Sequence, residues 1–363
     1  MLIARSPVRI SFGGGGTDLP GYFERLGGGV LSVAINKYFY SILRTRNDGR
    51  VQVISSDLRV FENWQDIAKL PAQSSELEIP LAVLKDLGSQ VSIDLFLASE
   101  IPPGTGLGSS ASVCVNILQT VSVYLHRPLS KYELAERAFQ IARNGLGRHV
   151  GKQDEYAAAF GGLNYISFNP DGSSHVEPID MDNEILQTFH SNLMLFFTGA
   201  AHHSWTILQE QEKSTRTQVS TTLDALHEIK ALGIHMREAL ENSQLQRFGE
   251  LLNSAWEAKR RISDKVSTPW IDRLYSLARN HGALGGKITG AGGGGFLLLY
   301  CEKPYRDAVR QALRDEGVHE MAFTFDNQGA QVIVNDPFVD SDEKGGSRWT
   351  FVPAKTYGMA GTD

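Results

Sequence analysis

The chain has only two cysteines in 363 residues, Cys114 and Cys301, and they stand too far apart to form a metal-binding pair. This excludes a disulfide scaffold or a cysteine-rich zinc site and suggests reduced core thiols in a reducing compartment. No apolar run is long enough to cross a bilayer, and no basic segment followed by an apolar one opens the chain. A cytoplasmic protein with no membrane partner is therefore expected. Basic charge is not in excess: the formal net charge of -6 argues against nucleic acid as the main partner, because phosphate backbones recruit basic surfaces. What the chain does have is glycine, 36 residues with three dense clusters, set in a sequence that is 42% hydrophobic and 21% charged, as in a globular protein. Its length exceeds what one core usually supports, so two lobes sharing a cleft are expected, residues 1–187 and 188–335, followed by a tail at 336–363.

The middle cluster organises the rest. Glu100 to Ile117 runs from an apolar strand (Val91 to Leu97) through a turn built on Pro102, Pro103, Gly104, Gly106 and Gly108 into an apolar helix opened by Ser109 and Ser110. Small residues let backbone N–H groups approach a phosphate, and the helix's unsatisfied first N–H groups and dipole favour negative charge. No lysine follows the glycines, so this is not a Walker A loop, and its place in the chain does not suit a dinucleotide fingerprint. Taken alone it reads more readily as an ordinary glycine turn before a capped helix. The other two clusters, Gly13 to Gly16 and Gly285 to Gly295, shift the reading towards a polyphosphate site.

Strands are expected at Leu2–Phe12, which delivers Arg9 beside the first cluster, and at Val30–Arg44 and Arg50–Ser55, joined as a hairpin by the Asn47-Asp48-Gly49 turn. Helices are expected from Ser109 to about His126 and after the Ser130–Glu133 capping box. A long helical region covers about Ser204 to Asn253, with Gly233 and Asn242-Ser243 as breaks. The second lobe continues with a helix at Trp270–Asn280, a strand at Phe296–Tyr300, a helix near Pro304–Glu316, and two closing strands ending at Val334. Asp154 stands where a loop becomes a short helix of small residues, and there it reads either as a plain N-terminal cap or as a reactive carboxylate. Direct phosphoryl transfer needs a cradle for a triphosphate, Mg²⁺, a cation for developing charge and a base for the attacking hydroxyl. Each need has a candidate here.

The three segments Ser6 to Asp18, Pro102 to Ala111 and Lys287 to Gly295 resemble, in order, the three motifs of the GHMP kinases. Within that superfamily GGGGTDLPGY and GKQDEYAAAFGG most resemble members that phosphorylate the anomeric oxygen of D-glycero-D-manno-heptose 7-phosphate. The resemblance implies an α+β, two-lobed fold with an N-terminal lobe of the ribosomal S5 domain 2 type and a ferredoxin-like C-terminal lobe. It implies an ATP- and Mg²⁺-dependent kinase of a small sugar or sugar phosphate, monomeric or homodimeric. Asp154 is then the catalytic aspartate and Arg9 the cation paired with it. Pro103, Gly104, Thr105, Gly106, Leu107, Gly108, Ser109, Ser110 and Ala111 hold the nucleotide, with Ser110 also on Mg²⁺. Gly14, Gly15, Gly16, Thr17, Asp18, Lys152, Gln153, His202, Lys287, Gly292, Gly293 and Gly294 face the acceptor. Tyr38, Ser55, Ser56 and Trp64 lie where such kinases build the adenine pocket. Two positions depart from the pattern. Ala142 stands where related kinases carry a magnesium-binding glutamate, and His202 where heptose kinases tend to carry an arginine. These departures keep open a kinase of another sugar, a cyclitol or a mevalonate-type alcohol, and a nucleotide-binding pseudokinase.

Overall fold

A computed structural model describes residues 1–65, 76–88, 91–199 and 204–336. The larger sheet starts with β1 (Leu2–Gly13), which alternates buried and half-buried residues over Leu2–Arg5 and is then buried continuously through Gly13. That change of pattern is what a strand shows when it passes from one covered face to two. It pairs antiparallel with β2 (Gly28–Thr45), and a register shift falls at Pro7/Val8, where proline cannot donate to the ladder. Between them lies α1 (Pro20–Leu26).

The turn at Asn47–Gly49 does not close a hairpin. The strands flanking it, β2 and β3 (Val51–Ser55), are not neighbours, because β5 (Ile93–Ser99) lies between them, antiparallel to β2 and parallel to β3. Arg46 holds the opening: its guanidinium donates to Asp48 at 2.9 Å and to Asp94 at 2.6 Å, and its backbone N–H to Ser92 O. Ile93, Leu95 and Leu97 of the inserted strand are buried, an apolar gain that a local hairpin would forgo. β4 (Val60–Trp64) ends this edge, while β6 (Leu163–Phe168) and β7 (Ser174–Pro178) extend β2 at its other end.

One side of the sheet carries α2 (Glu78–Leu87), α3 (Ser109–Tyr124), α4 (Lys131–Gln140) and α5 (Gln153–Phe160), which close the first core. The capping box expected at Ser130 is present, with Glu133 N–H donating to Ser130 Oγ and Ser130 N–H donating to Glu133. The other side carries the second lobe: α6 (Asn183–Asn192), β8 (Leu193–Phe197), α7 (Ser204–Arg216), α8 (Ser220–Glu241), α9 (Leu245–Arg260), α10 (Pro269–Asn280), β9 (Gly285–Ile288), β10 (Phe296–Tyr300) and α11 (Arg306–Asp315). Its sheet has the order β8-β10-β9, and an isolated bridge from Phe196 to Glu320 prolongs it. The lobes are welded by an apolar core in which Phe12 of β1 stacks edge-on with Phe189 and Phe248, ring centroids 5.6 and 5.3 Å apart.

Two expectations change here. Gly233 does not break α8. It lies mid-helix, where a Cβ on Gly13 would come within 2.9 Å of its Cα, so the bare helix surface lets the first glycine cluster lie against it. The last strand, β11 (Gln331–Asn335), does not close the second lobe but returns to pair with β1 in the larger sheet, so the boundary drawn at 335 takes in a strand of the first lobe. Most of the expected tail lies outside the described residues.

Candidate active site

A cleft of about 650 Å³ opens between the lobes. β1 ends at its floor and supplies Arg9, whose side chain is buried and bound on three sides. Nε and Nη2 make a two-pronged pair with the Asp154 carboxylate at 2.8 and 2.6 Å, and Nη1 donates to Gly106 O at 2.6 Å. The Arg9 backbone N–H donates to Leu107 O at 2.9 Å. One residue therefore fixes the sheet, the middle glycine loop and α5 together. Asp154 caps nothing: α5 starts without a side-chain cap, and this carboxylate is spent on Arg9 while its side chain stays 31% exposed to the cleft. A bidentate arginine in this geometry holds a carboxylate aimed in one direction.

The middle loop lies directly on that pair. A methyl on Gly108, at φ +78°, would come within 3.2 Å of Asp154 Oδ2. Pro103, Gly104, Thr105 and Gly106 line the cleft, followed by Gly108 and then Ser109, Ser110 and Ala111 at the start of α3. Leu107 does not; its side chain is buried in the interlobe core and only its carbonyl serves the site. Gly106, at φ +82°, touches the third cluster: a Cβ there would overlap the Thr289 carbonyl oxygen. Gly106→Ala forces the two loops apart and strains the backbone by about 1–2 kcal/mol, so the KM for ATP should rise about tenfold in steady-state assays.

The first cluster contributes Gly15, Gly16 and Asp18. Asp18 accepts N–H bonds from Gly16 at 2.8 Å and Gln153 at 3.2 Å. Burial, and then the neighbouring Asp154 charge, still push its pKa above the ordinary value. Gln153 sits beside it, held by Ser11 Oγ at 3.0 Å. Gly14 and Thr17 are structural, Gly14 against the Gly29 backbone and Thr17 Oγ1 donating to Gly14 O at 2.7 Å.

Several expected site residues face elsewhere. Lys152 turns out of the cleft into a separate groove, where its ammonium donates to Glu136 at 2.8 Å and Gly172 O at 2.6 Å, between the Phe23 and Phe139 rings. Its α5-start position sets it opposite Gln153. Lys287 is buried in β9 and donates to Phe12 O at 3.1 Å, beneath the cleft wall rather than in it. Burial, with Lys259 and Arg9 nearby, drives its pKa well down. Gly292, Gly293 and Gly294 are buried too, Gly293 N–H donating to Val266 O at 2.8 Å, so Gly290 and Ala291 present the third cluster to the cleft. None of Tyr38, Ser55, Ser56 and Trp64 lines it; Tyr38 donates to Asp326 at 2.9 Å. His202 lies outside the described residues.

The structure adds residues that no motif announced. Lys259 at the end of α9 reaches the cleft and donates to Gly290 O, with a pKa lowered to about 8 first by burial and then by Arg9. Gln211 on α7 approaches Gly16 with its Nε2 unpartnered, and the hydroxyls of Ser109 and Thr289 are likewise buried without a partner. Glu212, 1% exposed, takes hydrogen bonds from Arg143 (2.7 Å), His149 (2.8 Å) and Arg216 (3.0 Å), tying α7 to the loop that leads into Asp154. Its hydrophilic helix offers no sequence signal beyond charge. Buried polar atoms are nearly always satisfied, so orphan donors collected around one cleft mark where a ligand's acceptors belong.

Known proteins resemble this chain in sequence and in fold. Residues 78–162 match the model of the GHMP kinase N-terminal domain, and residues 236–319 that of the GHMP kinase C-terminal region. The chain is 31% identical over 332 residues to the D-glycero-alpha-D-manno-heptose 7-phosphate kinase of Campylobacter jejuni, covering 90% of this chain and 97% of that one. The chain belongs to the GHMP kinase family. Its fold matches a crystal structure of a D-glycero-D-manno-heptose 1-phosphate kinase from Bacteroides thetaiotaomicron with TM-score 0.78 and 28% identity, over 93% of this chain and 100% of the other. A putative sugar kinase from Campylobacter jejuni follows at TM-score 0.74 and 30% identity, over 91% and 97%. As a GHMP kinase the chain is an ATP-dependent phosphotransferase of α+β, two-lobed architecture. Among the described residues no helix is long and apolar enough to cross a membrane.

Proposed function

We propose that this enzyme transfers the γ-phosphoryl group of ATP, with Mg²⁺, to the anomeric oxygen of D-glycero-D-manno-heptose 7-phosphate. The Arg9–Asp154 pair carries the reading: a charged carboxylate, partly open to the cleft, lies under the glycine loop that leads into α3. ATP phosphates would sit on the loop from Pro103 to Ala111, where the α3 N-terminus and the unpartnered Ser109 hydroxyl offer donors. Asp154 would take the proton from the sugar hydroxyl, and Arg9 would hold it in position and screen the transferring phosphoryl group. Asp18 and Gln211 would orient the sugar, and Lys259 would face phosphate. Ser110, exposed at the start of α3, would help to hold Mg²⁺, which would supply positive charge against the nucleotide's phosphates. The acceptor rests on the Campylobacter relative's name, over 90% of this chain.

The test is a panel of acceptors with Mg·ATP: the heptose 7-phosphate, galactose, fucose, a cyclitol and mevalonate. ADP release should be fastest with the heptose, and ³¹P NMR of the product should show phosphorus coupled to the anomeric proton. Faster turnover of another acceptor would reassign the substrate, and no product from any of them would leave a nucleotide-binding pseudokinase.

A further inference from the structure

Glu155 follows Asp154, yet the mechanism above gives it nothing to do. Its side chain is 3% exposed, and Oε2 has no hydrogen-bond partner. An unpaired carboxylate oxygen in that position costs stability, and a fold keeps such a group where something else completes it. The residue lines the cleft together with Ser110, Cys114 and Ala142. Ser110 and Cys114 are one turn apart on the same face of α3, and the Glu155 carboxyl is near enough to Cys114 for its charge to push that thiol's pKa up further, beyond the rise from burial. Ala142 contributes only a methyl group to this wall and can offer a metal no ligand.

Among the described residues no three His, Cys, Asp or Glu side chains cluster to hold a metal ion unaided. That suits Mg²⁺ on a nucleotide, which keeps waters and phosphate oxygens and takes only one or two protein carboxylates. Resting on the reading that ATP occupies the glycine loop, we infer that Glu155 Oε2, with the Ser110 hydroxyl, supplies the protein's share of the divalent-cation site, in the role that Ala142 cannot fill. The orphaned oxygen then has its partner, and Asp154 is left free for the acceptor's proton. The placement also separates tasks between adjacent residues of α5: one carboxylate is held by Arg9, the other is reserved for the cation.

The experiment uses the full chain with Mn²⁺ as probe and a non-hydrolysable ATP analogue, reading free Mn²⁺ by electron paramagnetic resonance and analogue binding by calorimetry. Glu155→Gln should weaken Mn²⁺ in the ternary complex about tenfold or more, about 1.4 kcal/mol, while affinity for the metal-free analogue stays within about threefold of wild type. Adding Ala142→Glu to that variant should restore much of the lost Mn²⁺ affinity, a recovery that a merely structural Glu155 would not permit. If Glu155→Gln does not fold, Glu155→Asp, shorter by one methylene, should show the same selective loss. Mn²⁺ binding within twofold of wild type in the folded variant overturns the inference and leaves the kinase reading intact. Failure of the wild-type chain to bind the analogue at all overturns the nucleotide reading, and the inference with it.

Discussion

Asp154→Asn is expected to lower kcat by about 10²- to 10⁴-fold, the range over which a positioned base contributes, while the dissociation constant for ATP moves by less than about threefold. Asparagine preserves the shape but cannot accept a proton, and it breaks the charge match with Arg9, which otherwise donates twice to this carboxylate at 2.8 and 2.6 Å. Nucleotide binding depends on the loop from Pro103 to Ala111 and the α3 N-terminus, which the substitution leaves in place. Single-turnover rates with calorimetry separate the two quantities. A kcat within tenfold of wild type would remove the proton-acceptor role and leave Asp154 as a clamp for Arg9 and the loop.

The second large effect falls far from the reacting atoms. Glu212→Gln should destabilise the protein by about 3 kcal/mol or more, since it leaves Arg143 with no opposing charge at a site where the acid is 1% exposed. On a lobe of this size that is a fall of roughly 6–12 °C in melting temperature, measurable by scanning calorimetry. Burial by itself would raise this carboxyl's pKa; the hydrogen bonds from Arg143 and His149 more than reverse it, to about 2 from an ordinary 4.5. A carboxyl depressed in the folded state stabilises fully above its unfolded pKa, so the wild type should lose this contribution as pH falls from about 4.5 towards about 2, and the variant should lack that part of the acid transition. Because Gln211 is the preceding residue on α7, the same variant should raise the KM for the acceptor.

The elements that local chemistry specifies were legible in the sequence. Ser130 and Glu133 cap their helix as their spacing demands, and the glycines of the middle loop stand between strand and helix as a phosphate cradle requires. Arg9 and Asp154 are 145 residues apart yet paired, a contact that only the family resemblance made visible beforehand. What failed was what depends on distant partners. The Asn47–Gly49 turn has hairpin chemistry, but a strand from 93–99 wins the place beside β2 by burying three apolar residues. Gly233 has the composition of a helix break and is instead a contact point for Gly13. Lys152 and Lys287 stand in the right motifs, yet their side chains leave the cleft, one for Glu136 and one for the Phe12 carbonyl. Gln211, Lys259 and Glu155 reach the site through tertiary packing, which no spacing encodes.

The return of β11 to β1 sets how the second lobe is tethered. The polypeptide passes between lobes twice, once after Pro178 and again before Gln331, and the Met1 ammonium donates to Asp336 O at 3.0 Å alongside the second passage. Two crossings leave the second lobe no free end: its polypeptide enters from the larger sheet and returns to it, so both of its ends stay tied to the first lobe.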